Sequence, residues 1–140
     1  SPQVRRVDML DMDIPSASID LVVANHVLEH VADDDKALSE LFRVLTPAGH
    51  AILQTPYSRK LHTTWSDPGI DNDQARLHAH GQEDHVRLYG RDIFERITAA
   101  GFDSRVHCHN DLLSEVDADA SGVNHAEPFF LFQKPLPSAR

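Results

Sequence analysis

The chain has 140 residues, of which 41% are apolar and 25% charged, and 22 acids against 13 bases leave a net charge of -9. That length suits one domain with one core and excludes two. The acidic balance argues against a nucleic-acid partner, which needs a basic face to displace counterions, and favours a small-molecule substrate.

Cys108 is the single cysteine, so neither an internal disulfide nor a cysteine-based zinc site can form within one chain. A reducing cytoplasm is the simplest location on that ground. No stretch is long and apolar enough to span a bilayer, and residues 1 to 20 lack the apolar centre of a signal peptide. The expectation is a cytoplasmic chain with no membrane partner.

In chain order, residues 4 to 10 read as a short strand ending near Asp8. "DIPSAS", residues 13 to 18, reads as a turn, because Pro presets φ and Ser bonds the local backbone. Residues 19 to 24 are continuously apolar apart from Asp20, which suits a strand buried on both faces of a parallel sheet. Residues 26 to 31 fit a short helical turn. "DDDKALSELFRVL" is a helix, with Asp33 or Asp34 as cap and Ala37, Leu38, Leu41, Phe42 and Leu45 on its apolar face. "TPAG" ends it, with Gly49 free to take a positive φ. Residues 50 to 55 form the next strand, closed by Pro56.

Residues 57 to 89 are polar and irregular, a length that in compact domains belongs to a lid, a binding loop or short helices. Residues 91 to 100 form a second helix, with Ile93, Phe94, Ile97 and Ala100 on one face and Gly101 as its stop. Residues 104 to 109 and 129 to 134 are the last strands, separated by an acidic stretch. This alternation predicts a mostly parallel α/β sheet whose final strand pairs antiparallel.

The polar cluster after the first apolar run carries the chemistry. His26 and His30, four apart, share a face on a helix, with Glu29 between them. A histidine there can act as a base near neutral pH. The alternative is that Glu29 and His30 only cap and fasten the next helix. Asp84 precedes His85 and can orient it, unless both lie in a solvated loop. Arg87 can clamp a carboxylate or phosphate. The pairs His78 and His80, and His107 and His109, could share strand faces as metal ligands do, but they lie on separate elements. Scattered histidines on an acidic surface explain them more simply, so no metal is expected.

"VDMLDMDIPSASIDLVVANHVLEHVADDDKALSELFRVLTPAGHAILQTP" resembles the middle of a class I S-adenosylmethionine-dependent methyltransferase. Asp8, the run Ile19-Asp20-Leu21-Val22-Val23, the run Val27-Leu28-Glu29-His30-Val31, and Pro47-Ala48-Gly49 before an apolar strand carry the likeness. "AGFD" before one strand and "PFFLFQKP" as the last extend it. So does "GQEDHVRLYGRDIFERITAAGF", which resembles a segment between the fifth strand and last helix of some bacterial members.

The resemblance implies a Rossmann-like sheet with an antiparallel last strand, S-adenosylmethionine as cofactor and S-adenosylhomocysteine as product. It implies that Asp8 accepts from the adenine amino group, that Met9 presents its backbone N–H to the ring, and that Asn25 lies beside the methionine part. Ligands of open α/β sheets do lie beyond the carboxyl ends of strands. It implies that His30 and His85 are candidate bases, and that Glu29, Asp84 and Arg87 contact a small-molecule or saccharide-like acceptor. The alternative is a non-catalytic, methyltransferase-like module acting in assembly or regulation.

The family's glycine-rich loop, and the acid that holds the ribose hydroxyls, have no match here; none of the six glycines precedes residue 49. The reading is therefore a single partial domain over residues 1 to 140, the second half of the fold. In the family sheet the strands that would flank residues 19 to 24 come from the first half. A bare apolar edge is expected there, and with it a homo-oligomer, as a dimer or swapped assembly, or else poor solubility.

Overall fold

The computed structural model describes residues 3 to 66, 86 to 108, 117, 120 and 127 to 137. A four-stranded sheet forms its centre, built from β1 (Ile19–Val23), β2 (Leu45–Ile52), β3 (Asp103–Ser104) and β4 (Leu131–Gln133) in the order β1-β2-β4-β3. β1 and β2 pair parallel, while β4 pairs antiparallel with both β2 and β3. The last strand therefore runs against the other three, as expected, but it lies inside the sheet and β3 takes the edge.

Between β1 and β2 the chain makes a 3-10 turn, Leu28–His30, and then helix α1, Asp34–Val44. Asp33 caps α1 by accepting from the Lys36 amide at 3.1 Å, and Asp34 and Asp35 suit the positive end of its dipole. Ala37, Leu38, Leu41 and Val44 recur at helical spacing and are buried. Helix α2, Ile93–Ala99, buries Ile93 and Ile97.

Register decides which sheet face they cover. Val22, Ala51 and Phe132 stand opposite one another, so their side chains share a face. Ala51 and Phe132 are fully buried there, together with Leu53 and Phe130. Val23, Ile52 and Leu131 share the other face, as do Leu21, His50 and Gln133. On that face Leu21 is 55% and Val23 57% exposed. The described domain is thus two layers, with one sheet face covered and the other bare at β1. Among the described residues β1 ends the sheet order, which leaves its apolar edge without a neighbouring strand there, as expected from the sequence.

Three expectations need correcting. Residues 4 to 10 are not a strand; Val4 and Val7 are exposed, and no ladder partner lies beside them among the described residues. The chain is instead held downstream, by side chains. Arg43 donates from Nη1 to the Ile14 carbonyl at 2.9 Å and from Nη2 to the Met12 carbonyl at 3.0 Å. Glu40 accepts from the Met12 amide at 2.7 Å. Second, α1 runs straight into β2: "TPAG" is the start of the strand, and Ala48, not Gly49, takes the positive φ of 67°. Gly49 serves close approach instead, since a Cβ there would sit 2.8 Å from the Thr46 carbonyl oxygen. Third, the strand expected over residues 104 to 109 shortens to Asp103–Ser104, followed by an isolated bridge between His107 and Phe129.

Candidate functional site

The carboxyl ends of β1 and β2 meet at one side of the molecule. Beyond β1, the His26 amide donates to the Gln54 carbonyl at 2.7 Å, continuing the ladder past Asn25. His26 has a φ of 54°, which turns the chain out of the sheet and into the 3-10 turn. Asn25 and His26 are exposed. Glu29 goes the other way and is only 2% exposed. Its Oε1 lies 3.8 Å from His26 Nδ1 and 3.6 Å from His30 Nε2. These separations exceed a hydrogen bond, but they are within charge-pairing reach of a protonated imidazole. Both imidazoles thus approach one buried carboxylate oxygen.

Residues 86 to 89 clasp this turn. The Val86 amide donates to the Glu29 carbonyl at 2.9 Å. Arg87 donates from Nη1 to the Leu28 carbonyl at 2.7 Å and from Nη2 to the Ala32 carbonyl at 3.0 Å. Its Nε lies 3.9 Å from Asp34 Oδ2. The guanidinium, buried with its donors turned to the backbone, fixes both ends of the turn that carries Glu29 and His30. Leu88 exchanges backbone hydrogen bonds with Trp65 at 2.8 Å each way, and Tyr89 accepts from the Ser58 amide at 2.8 Å.

Behind the clasp lies a buried polar knot. Asp34 Oδ2 accepts from the Tyr89 hydroxyl at 2.6 Å and from Arg96 Nη1 at 2.9 Å. Burial, the Asp34 hydrogen bond and the Asp34 charge together push the Tyr89 phenol far above its usual range. Arg96 also reaches Asp92, and its guanidinium stands 5.9 Å from the Tyr89 ring centroid. Burial alone would raise the Asp92 carboxyl, but bonds from Thr64 and the Arg96 charge hold it below the ordinary value.

A cavity of about 180 Å³ opens between the turn and the clasp, lined by Glu29, Pro56, Tyr57, Ser58, Arg87, Leu88 and Tyr89. The Tyr57 ring packs edge-on against Phe94, with centroids 5.3 Å apart, and against Phe130 at 5.9 Å, so that wall is anchored to the core.

The other sequence candidates sit as follows. Asp8 is exposed in a turn ahead of β1; its Oδ1 accepts from the Leu10 amide at 2.9 Å. Met9 is half-buried against the core. Asp84, His85, His78, His80 and His109 lie outside the described residues. Among the described residues no group of three histidines, cysteines or acids is placed to hold a metal ion. No described helix is long and apolar enough to cross a membrane.

Sequence reasoning missed Tyr57, Ser58 and the Asp34–Tyr89–Arg96 knot. Tyr57 lies a few residues beyond the carboxyl end of β2 (Ile52), so the strand-end rule could have marked it. The knot joins residues 55 and 62 apart in the chain, and no local pattern signals it.

Asp8 is thus an exposed acid in a turn before β1, and Asn25 an exposed amide just past the end of β1. Similar proteins are found among the methyltransferases. Residues 1–53 match the methyltransferase domain family. A Mycolicibacterium smegmatis protein described as a "probable S-adenosylmethionine-dependent methyltransferase" is 32% identical over 122 residues, covering 85% of this chain and 43% of the relative. A malonyl-[acyl-carrier protein] O-methyltransferase from Halorhodospira halophila is 28% identical over 136 residues, covering 91% of this chain and 40% of the relative. The chain therefore spans about two fifths of the curated relatives it matches. A Haemonchus contortus N-methyltransferase, solved with phosphomonomethylethanolamine and S-adenosylhomocysteine, shares the fold with a TM-score of 0.55 at 18% identity, covering 94% of this chain and 36% of that one.

Proposed function

We propose, from this chain's similarity to S-adenosylmethionine-dependent methyltransferases, that it belongs to their class I and that the protein transfers a methyl group to a small-molecule or saccharide-like acceptor. When bound, S-adenosylmethionine supplies an electrophilic methyl group. The chain's own residues must hold the acceptor in line and take its proton. The observation that carries the reading is the buried Glu29 carboxylate, approached by two imidazoles at the carboxyl end of β1 and bordering a cavity.

In this reading His30 accepts the proton from the acceptor's oxygen, nitrogen or carbon, and Glu29 stabilises the imidazolium that results. His85, with Asp84 beside it, is the second candidate base. Asp8, Met9 and Asn25 contact the cofactor. Arg87 supports the acceptor site by fixing the turn, since its donors already serve the Leu28 and Ala32 carbonyls. A cytoplasmic location fits the single exposed cysteine.

A second reading rests on one observation, the exposure of Leu21 and Val23 on the bare sheet face. There the chain is a non-catalytic module that assembles through β1, with a homo-oligomer as the simplest outcome. Calorimetry with S-adenosylhomocysteine separates the two. Micromolar binding, lost in Asp8→Ala, supports methyl transfer. A folded protein that binds no S-adenosylhomocysteine leaves the assembly reading.

A further inference from the structure

We propose that Asp34, which does not itself line the cavity, is a positioning residue that fixes the cavity's two sides against each other. One side is the turn that carries Glu29 and His30. The other is the clasp that brings in Arg87 and Tyr89. This deepens the methyl-transfer reading, because it names what holds the proposed base in place, and it rests on that reading for its purpose.

The contacts close a ring. Asp34 opens α1, four residues beyond His30. Its Oδ2 gathers three side chains from the far side of the cavity: the Tyr89 hydroxyl at 2.6 Å, Arg96 Nη1 at 2.9 Å and Arg87 Nε at 3.9 Å. Arg87 then reaches back over the turn, from Nη1 to the Leu28 carbonyl and from Nη2 to the Ala32 carbonyl. Both ends of the turn are thereby tied, through one guanidinium, to one carboxylate. That carboxylate also sets the Tyr89 ring, which forms the opposite wall.

Burial makes the ring act as a unit. Asp34 and Arg87 are each 6% exposed. Removing one partner of a buried pair leaves the other charge uncompensated, so neither can turn away alone. The cap of α1 does not need this carboxylate, since Asp33 supplies it. Asp34 is turned to tertiary contacts instead.

The chemistry needs such a hold. A base works when its imidazole stands within hydrogen-bond reach of the proton it takes, and a misplacement of about 1 Å can cost about a hundredfold in rate. His30 closes the turn, with its ring 3.6 Å from Glu29 Oε1. The His30 amide donates to Val27 at 3.0 Å and the Val31 amide to Leu28 at 3.2 Å. Those local bonds give the turn its shape. The Asp34–Arg87 link decides where that shape stands relative to the Tyr89 wall.

The test is imidazole NMR and amide hydrogen exchange on the folded chain at pH 7. Asp34→Asn keeps the side chain's size and removes its charge. The His30 imidazole resonances should shift, while those of His50 and His107, on the sheet, stay in place. The amides of His30, Val31 and Val86 should lose protection by about tenfold or more, ahead of those in β2 and β4. The control is Phe102→Leu. Phe102 packs on Phe42, in the last turn of α1, and on Phe132. That variant should lower stability without moving His30. Arg87→Lys serves if Asp34→Asn does not fold: it keeps the positive charge, loses the rigid two-pronged donor, and should shift His30 in the same way. A folded Asp34→Asn with unmoved His30 resonances and unchanged protection overturns the proposal. So does a Phe102→Leu chain that moves His30 as far. S-adenosylhomocysteine calorimetry on the wild type keeps the two readings apart. No cofactor binding sinks methyl transfer and leaves the positioning result standing; cofactor binding with an unmoved His30 does the reverse.

Discussion

The Tyr89 hydroxyl donates to Asp34 Oδ2 at 2.6 Å and ties the segment entering α2 to the first turn of α1. Tyr89 is fully buried, and Arg96 completes the contact from α2. Removing the hydroxyl leaves Asp34 short of a donor in a buried setting. Tyr89→Phe should therefore cost about 1–3 kcal/mol in chemical denaturation, with little change in the slope.

The same contact predicts an alkaline limit. The folded phenol titrates far above the unfolded value of 10.0. A folded pKa raised above the unfolded one gives stability that is complete below the unfolded pKa and is lost as pH rises past it. In a Tyr57→Phe background Tyr89 is the remaining tyrosine. Its tyrosinate absorbance should then appear together with loss of circular dichroism, not before it. A tyrosinate signal at pH 10 to 11 from a folded chain would count against the buried hydrogen bond.

Glu40 predicts the acid limit. The Arg43 side chain and the Met12 amide hold its carboxyl down to about 2 from 4.5. A depressed folded pKa gives stability that is present above the unfolded value and lost as pH falls towards the folded one. The stability gap between the wild type and Glu40→Gln should be constant above pH 5, shrink between 4.5 and 2, and vanish below. Urea titrations at pH 7, 4 and 2.5 check the sign. Because Arg43 also holds Met12 and Ile14, proteolysis of residues 3 to 18 should speed up in the variant at pH 7.

Gly90 predicts a steric limit at the site. A Cβ there would come within 2.7 Å of the Thr63 carbonyl carbon and oxygen and 2.9 Å of the Leu61 carbonyl oxygen, all backbone. Nothing flexible can yield, so Gly90→Ala must push the two segments apart. It also strains the bond from the Arg91 amide to Leu61. A loss of about 1–3 kcal/mol is expected, as for overpacking elsewhere. The amides of Trp65 and Leu88, which bond each other next to the cavity, should lose exchange protection first.

How far the sequence anticipates this structure depends on the range over which each signal acts. α1 is legible because its cap, acidic first turn and apolar spacing all lie within thirteen residues of chain. β1 and the turn after it are legible because an apolar run followed by a polar cluster is local too. Residues 4 to 10 mislead because apolar and β-branched residues say nothing about whether a partner strand is present; here Glu40 and Arg43 take the nearby backbone instead. Glu29 stands out in the sequence, but its burial does not, because that follows from the clasp some sixty residues later. The substrate clamp read into Arg87 treats an arginine as exposed by default; its buried bonds to Leu28 and Ala32 depend on folding.

The bare face of β1 yields the last prediction. Leu21 and Val23 point away from α1 and are more than half exposed, next to the partly covered Ile52 and Leu131 on the same face. β1 also ends the sheet, so its outer backbone groups have no strand beside them among the described residues. An apolar face joined to an open edge is a template for pairing. At tens of micromolar, sedimentation velocity should show this chain associating. The double variant Leu21→Thr, Val23→Thr keeps strand preference while removing apolar surface. It should lower association without lowering monomer stability by more than about 0.5 kcal/mol, the usual range for surface substitutions. A wild-type chain that sediments as a monomer at 100 micromolar refutes association through β1 and removes the support for the assembly reading. Association that survives the double variant places the contact elsewhere.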